Sequence, residues 1–159
     1  MTKVFAIDPG PKQSAYVLLK YGWQILDKGL MDNHDLVSMV SAWNFDVHPH
    51  TSKLAIEYPR PRGQPMYTQL VDTICWIGRF IQASRREDWL RVDRLKVKME
   101  LCGSARANDA AIRAAVLSRY PAIGGGRLGQ VGTKKDPGPL YGVRKDIWAA
   151  LAVAITVSS

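Results

Sequence analysis

Residues 3–10, with the sequence KVFAIDPG, contain an uninterrupted apolar run that ends in an acid and a turn signal. A short apolar run that stops at Pro-Gly is typical of a buried β-strand followed by a turn. Residues 54–59, with the sequence LAIEYP, repeat this arrangement. Both segments are therefore predicted to be buried strands, and each ends in a carboxylate, Asp8 in the first and Glu57 in the second.

The segments around these two strands predict three further strands and four helices. The further strands are predicted over 14–19 and 23–31, joined by a Tyr21-Gly22 turn, and within 89–98. Helices are predicted over 36–43, 67–84, 108–120 and 146–157, with N-caps at Asp35, at Asn108 or Asp109, and at Asp146. The order β-β-β-α-β-α-β-α-α predicts an α/β protein with a mixed sheet of about five strands and helices on both faces. This is the element order of the ribonuclease H-like fold.

The composition is that of a soluble globular protein. The chain has 159 residues and a mass of 17.7 kDa, with 47% apolar and 23% charged residues, and we expect one domain over 1–159. It has no apolar run of the roughly 18 residues that a membrane span needs, and no signal peptide is recognisable. Cys75 and Cys102 are the only cysteines, which excludes a disulfide scaffold and favours a reducing, cytoplasmic location.

The charge of the chain points to an anionic partner. Lys and Arg number 22 and Asp and Glu 14, which leaves a net charge of +8 and a pI near 9.7. Folded domains this basic tend to bind polyanions, although charge alone is also compatible with a role in solubility. Residues 100–145 carry eight basic side chains against three acidic ones and are rich in glycine. We expect them to form a flexible basic surface, with a mobile or functional loop over 121–145.

Three acids occupy positions that suggest a metal site. Asp8 and Glu57 end predicted strands, and Asp146 opens the last, apolar helix. If the first and fourth strands are neighbours, their carboxylates meet at one rim of the sheet, where a cation is needed to neutralise them. Such oxygen ligands suit Mg²⁺ or Mn²⁺, which can promote phosphodiester hydrolysis. Taken singly, Asp8 is also compatible with a turn residue and Asp146 with a helix cap.

The same segments resemble the RuvC-type Holliday junction resolvases. In chain order, residues 6–10, 55–57, 102–112 and 138–156 are similar to motifs of this family, and 72–80 and 134–139 look most like a phage-type branch of it. The resemblance spans nearly the whole chain, and the motifs occur in the family's order.

This resemblance implies a ribonuclease H-like fold, a homodimer, and Mg²⁺-dependent, paired nicking of four-way DNA junctions, without a small-molecule cofactor, in a bacterium or a phage-infected cell. The family carries four acidic or near-acidic site positions, and three of them match Asp8, Glu57 and Asp146. The fourth lies three residues beyond Asp146, on the same helix face, and is occupied here by Ala149. Asp72, on the helix after Glu57, is the candidate substitute for the missing acid.

Basic residues near the predicted site are candidate DNA contacts. Arg60 and Arg62 closely follow Glu57, in a loop that, by the resemblance, approaches the junction. The family often has a lysine near the scissile phosphate, in a stretch that matches 107–109; none is present there, and Arg106 is the candidate in its place. The other candidates, all from the basic stretch, are Arg113, Lys134 and Lys135.

The helix over 67–84 is the predicted dimer interface. Cys75, Trp76 and Phe80 add bulk beyond its inward-facing stripe, and the family dimerises similarly. A two-fold dimer would supply the two nicks that resolution of a junction requires.

Two alternatives to a junction endonuclease stay open at this point. Ala149 is compatible with a catalytically silent protein that binds junctions. A ribonuclease H-like fold is also compatible with a nuclease that acts on RNA–DNA hybrids.

Overall fold

A computed structural model describes residues 2–43, 52–60, 63 and 65–159. It contains five strands: β1 (Lys3–Asp8), β2 (Gln13–Lys20), β3 (Gln24–Asp32), β4 (Ser52–Glu57) and β5 (Leu90–Val92). Its five helices are α1 (Asn33–Ala42), α2 (Thr68–Ser84), α3 (Arg94–Cys102), α4 (Asp109–Leu117) and α5 (Ile147–Thr156). Among the described residues, none of the helices combines the length and hydropathy needed to cross a lipid bilayer.

The five strands form one mixed sheet in the order β3-β2-β1-β4-β5. The first three strands pair antiparallel as a meander, whereas β4 pairs parallel with β1 and β5 pairs parallel with β4. The predicted mixed sheet of about five strands is therefore confirmed, including the adjacency of the first and fourth strands.

Alternate residues of each strand point to opposite faces, and this period of two separates two hydrophobic cores. On one face, Phe5 and Ile7 pack with α1 and α2. On the other face, Val4 and Ala6 pack with α3, α4 and α5, and α5 is almost entirely buried there. Helices thus cover both faces, as predicted, and α5 lies over the central strands because small alanines line both surfaces.

The structure corrects two predictions about helices. Residues 89–98 include the predicted fifth strand, but it is only three residues long, and α3 follows at once. This helix was not predicted because its short buried stripe, Val97 and Leu101, is surrounded by charged residues. The helix predicted over 36–43 begins earlier, at Asn33, because the Asp32 carboxylate, rather than that of Asp35, accepts the capping hydrogen bond from His34 N.

The glycine-rich segment 121–145 is a tightly hydrogen-bonded loop, which contradicts the flexible surface expected from its composition. Gly138 N donates to Val131 O at 3.0 Å, and Leu140 N donates to Gln130 O at 2.8 Å. A Cβ atom at Gly138 would collide with the carbonyl oxygens of Gly129 and Gln130. The glycines therefore permit close backbone packing, and Leu140 anchors the loop in the core.

A buried polar network shapes the turn that follows Asp8. Asn33, fully buried at the start of α1, donates from Nδ2 to Gly10 O at 2.9 Å and accepts from Ser14 Oγ at 2.6 Å. Ser14 Oγ in turn accepts from Gly10 N at 3.1 Å. These bonds tie the end of β1 to the starts of β2 and α1, so the position of the first carboxylate depends on them.

Replacement of Asn33 by alanine is predicted to lower the free energy of unfolding by roughly 1–3 kcal/mol, because Gly10 O and Ser14 Oγ lose buried partners. Urea denaturation of the variant beside the wild type measures this loss. Ser38→Ala, at an exposed position of α1, is the control and should change stability by less than about 0.5 kcal/mol. Equal stability of the two variants would contradict the role given to the network.

Candidate active site

Two carboxylates lie side by side where β1 and β4 end. Ile7 pairs with Ile56 in the parallel ladder, so Asp8 and Glu57 follow at the next register position. Each lies two residues beyond an alanine that faces the α3–α4–α5 side of the sheet, and both therefore face that side. The sequence prediction that the two strand-end acids meet is confirmed by this register.

Asp146 joins this pair from the start of α5. It occupies the N-cap position, but within the described part of the chain its carboxylate accepts no capping hydrogen bond. Its charge raises the pKa of both Asp8 and Glu57, which places it within electrostatic reach of each. Lys145, directly before it, has a φ of 47°, a left-handed conformation that is uncommon for a residue with a side chain and is often found at functional sites.

The cluster stores unfavourable electrostatic energy. Burial raises the pKa of Asp8 to about 8, and the charges of Glu57 and Asp146 add to the effect. Burial also raises the pKa of Glu57; Arg94 opposes that shift, and Asp109 reinforces it. Carboxylates that are desolvated and repel one another are the environment in which a divalent cation binds most favourably.

Arg94 and Asp109 extend the cluster. Arg94, the first residue of α3, forms a close salt bridge with Asp109, the first residue of α4. Its other guanidinium nitrogen, Nη1, lies 4.0 Å from Glu57 Oε1. One arginine is thus shared by a buried and an exposed carboxylate.

The donor atoms of the site fit a hard divalent cation. All the candidate ligands are carboxylate oxygens, and Glu57 Oε2 is buried without a hydrogen-bond partner among the described residues. As the side chains stand, no three His, Cys, Asp or Glu side chains of the described ranges are grouped closely enough to hold a metal ion. The chemistry of the site therefore suits a cation, while its present arrangement leaves Arg94 beside Glu57.

Two cavities flank the acids, and Arg94 lines both. One, of about 580 Å³, lies beside Asp146 and Ala149 and is bordered by the basic residues Arg113, Arg144 and Lys145. The other, of about 690 Å³, contains Asp8 and Glu57 and is bordered by the aromatic and basic residues Tyr58, Tyr67, Arg60 and Arg91. Basic residues thus form cationic walls in both cavities that the acids line.

The structure brings some of the predicted site residues to these cavities and leaves others away from them. Asp8, Glu57, Asp146, Arg60 and Arg113 line the cavities. Asp72 is exposed on α2, and it is not among the described groups that shift the pKa of Asp8 or Glu57. The structure therefore does not bring it to the cluster. The exposed residues Arg106, Lys134 and Lys135 line neither cavity, and Arg62 lies outside the described residues.

Sequence reasoning missed Arg94 and Asp109 as site residues. A strand was expected within 89–98, so the helix that begins there at Arg94 was not predicted. The signal that could have revealed it is Asp93, whose carboxylate accepts a capping hydrogen bond from Lys96 N at 2.8 Å, followed by a helix-ending Gly103. Asp109 was assigned only as a possible cap, although Asn108 performs that role.

The sheet order and the carboxylates at the ends of two parallel neighbours define an α/β protein with a ribonuclease H-like fold. Two solved structures share this fold. RuvC from Thermus thermophilus matches with a TM-score of 0.65 and 17% sequence identity. T. thermophilus RuvC in complex with Holliday junction substrate matches with a TM-score of 0.66 and 18% sequence identity. Each comparison covers 98% of this chain and 92% of the other. No protein-family model and no curated protein matches the sequence. The resemblance to RuvC-type resolvases is thereby confirmed at the level of the fold.

Replacement of Asp8 by asparagine is predicted to raise the melting temperature in the presence of a chelator, because a buried charge among like charges is removed. About 1 kcal/mol of relief corresponds to roughly 2–4 °C in a chain of this size. Folding raises the pKa of Asp8 from its ordinary value of 3.8 to about 8. At pH values between these two, the folded chain therefore binds more protons than the unfolded chain. Wild-type stability therefore falls as the pH rises through this window.

The gain from Asp8→Asn should accordingly be larger at pH 8 than at pH 5. Differential scanning calorimetry of both proteins at the two pH values measures it. A gain that is the same at both values would show that repulsion by the Asp8 carboxylate is not the cause.

Proposed function

We propose that this protein is a structure-selective DNA endonuclease that cuts four-way junctions by metal-dependent phosphodiester hydrolysis. The carrying observation is the cluster of Asp8, Glu57 and Asp146 between two cavities with cationic walls. It lies on a fold shared with a RuvC that has been solved with a Holliday junction substrate. Acids that attract a cation and arginines that attract phosphate are the two components that hydrolysis of a DNA backbone requires.

The three acids would hold Mg²⁺ or Mn²⁺, with Glu57 Oε2 as the atom most in need of a partner. A bound ion would lower the pKa of an attacking water and stabilise the charge on the phosphate. Asp8 and Glu57 are held by the parallel ladder, and Asp146 by the buried helix α5. The chain thus contributes acids from three elements whose relative positions are set by the core.

The cationic walls would position the DNA backbone. Arg113 is stacked over Trp148, with the guanidinium carbon 4.5 Å from the ring centroid, and Arg91 is stacked over Tyr58 at 3.9 Å. Stacking orients each guanidinium and leaves its edges free for phosphate oxygens. Arg60 in one cavity, and Arg144 and Lys145 in the other, add further positive charge.

A homodimer is part of this proposal, because two nicks on opposed strands require two acidic clusters. Of the three residues expected at the interface on α2, Cys75 is exposed and Trp76 is only partly buried against the core, and both remain candidates for an isologous contact. Phe80, expected to contribute to the interface, is fully buried in the core beneath α1 and α2 and is excluded from that role. Light scattering at micromolar concentration tests the assembly.

A second candidate function is binding of junctions without cleavage. It is favoured by Ala149, which presents only a methyl group to the cavity beside Asp146. In this case the protein would bind a four-way junction with the same salt dependence and leave its strands intact in Mg²⁺ or Mn²⁺.

The deciding experiment incubates the protein with a labelled four-way junction and Mg²⁺, beside a matched linear duplex and an RNA–DNA hybrid. Paired nicks in the junction alone are expected. Asp8→Asn should reduce cleavage by at least about a hundredfold while binding persists, because one ligand is lost at constant shape. Glu100→Gln, at an exposed position on α3, is the charge-matched control and should cleave as the wild type does. Cleavage of the hybrid alone would contradict the junction assignment.

Junction affinity should fall steeply as salt rises, because phosphate contacts release counterions. Arg113→Gln is predicted to lower affinity for every sequence and to reduce the slope of log affinity against log salt by about 1. Fluorescence anisotropy with labelled junctions at several salt concentrations measures both quantities. An unchanged slope in this variant would place Arg113 outside the DNA contact.

A further inference from the structure

Arg94 contacts both cavities and two carboxylates of the site. It lines both cavities, and its guanidinium lies between a carboxylate of the sheet and a carboxylate of α4. Its charge opposes the rise in pKa of both Asp8 and Glu57, so it is within electrostatic reach of the strand-end pair.

The two ion pairs of Arg94 differ in length: the pair with the largely buried Glu57 is long, and the pair with the exposed Asp109 is close. The Glu57 side chain is 19% exposed, yet its contact with Nη1 is 4.0 Å long, too long for a hydrogen bond. The Asp109 side chain is 89% exposed, and it receives the close contact. The exposed acid is paired tightly, whereas the largely buried acid is paired loosely and keeps one oxygen without a partner in the described structure.

Such an arrangement leaves the buried carboxylate available to a stronger partner. An exposed ion pair contributes little to stability, whereas an inadequately paired buried carboxylate is costly. A divalent cation would satisfy Glu57 at short range, but the Arg94 guanidinium would then lie beside that cation and repel it. Asp109 offers the arginine a place to remain when it leaves Glu57.

We propose that Arg94 is an internal counter-ion that stabilises the site in the absence of metal and shifts entirely onto Asp109 when a divalent cation binds. This inference rests on the cation binding contained in the proposed function, and it does not require that the substrate be a junction. Arg94 and Asp109 are positioning residues in this scheme: they control how readily the acids accept a cation.

The scheme predicts opposite effects for two substitutions in one salt bridge. Arg94→Met removes the competitor and should tighten Mn²⁺ binding by about tenfold or more, since a unit charge at this distance shifts such equilibria by at least one decade. Asp109→Asn removes the alternative partner of Arg94, holds the arginine on Glu57, and should weaken Mn²⁺ binding several-fold. Isothermal titration calorimetry of the full chain with Mn²⁺ alone measures both effects, without DNA or turnover.

Arg79→Met is the matched control. Arg79 is exposed on α2, its guanidinium is stacked on Trp76, and it lines neither cavity. Loss of this charge alone should change Mn²⁺ affinity by less than about threefold, because solvent screens an exposed charge outside the site. Arg94→Gln is a second uncharged variant in case the methionine variant does not fold, as judged by circular dichroism.

A double variant separates the proposed role of Asp109 from direct coordination. If Asp109 acts through Arg94, Asp109→Asn should have no further effect in a chain that already carries Arg94→Met. An equal weakening in both backgrounds would show that Asp109 acts on the cation directly, by its charge or as a ligand, and would overturn the proposal.

The remaining outcomes distinguish this proposal from the function on which it rests. Mn²⁺ binding that Arg94→Met leaves unchanged or weakens would overturn the counter-ion role while leaving metal-dependent hydrolysis intact. A wild-type chain that binds no Mn²⁺ would overturn both. Normal metal binding with the predicted variant effects, but without cleavage of any junction, would support the counter-ion role and refute the endonuclease.

Discussion

The parallel pairing of β1 with β4 sets two largely buried carboxylates beside each other. Because Ile7 is in register with Ile56, the next residues, Asp8 and Glu57, cannot separate without breaking the ladder. Burial and mutual repulsion raise the pKa of Asp8 to about 8. The Arg94 charge partly offsets this effect, and in the proposed function the carboxylates would attract a cation.

Of the charges around this pair, that of Arg94 opposes the rise in pKa of both acids, whereas Asp146 raises both pKa values and Asp109 raises that of Glu57. The starts of α3, α4 and α5 all converge on the strand ends, and they carry Arg94, Asp109 and Asp146 respectively. Small alanines allow α5 to lie over the central strands, which brings Asp146 to the pair, while the buried Asn33 network shapes the turn after Asp8. The core thus determines the distances at which these charges interact.

A chain with a net charge of +8 contains a locally acidic centre, and this contrast is central to the proposed chemistry. In the proposed function, the positive residues around the cavities would attract a polyanion from a distance, and the carboxylates would bind a cation at close range. Arg94 lines both cavities, and in the proposed scheme it would neutralise Glu57 before a metal binds and pair with Asp109 afterwards.

The sequence by itself determined the strands, most of the helices and the three acids, because local periodicity and turn residues define them. The tertiary structure decided which other charged residues lie beside those acids. Arg94 and Asp109 are 15 residues apart and belong to different helices, so only packing brings both near Glu57. The glycines of 121–145 predicted flexibility, yet close backbone contacts between distant parts of the loop give it a defined structure. In both cases the deciding contacts join residues that are not neighbours in the sequence, so local sequence patterns could not predict them.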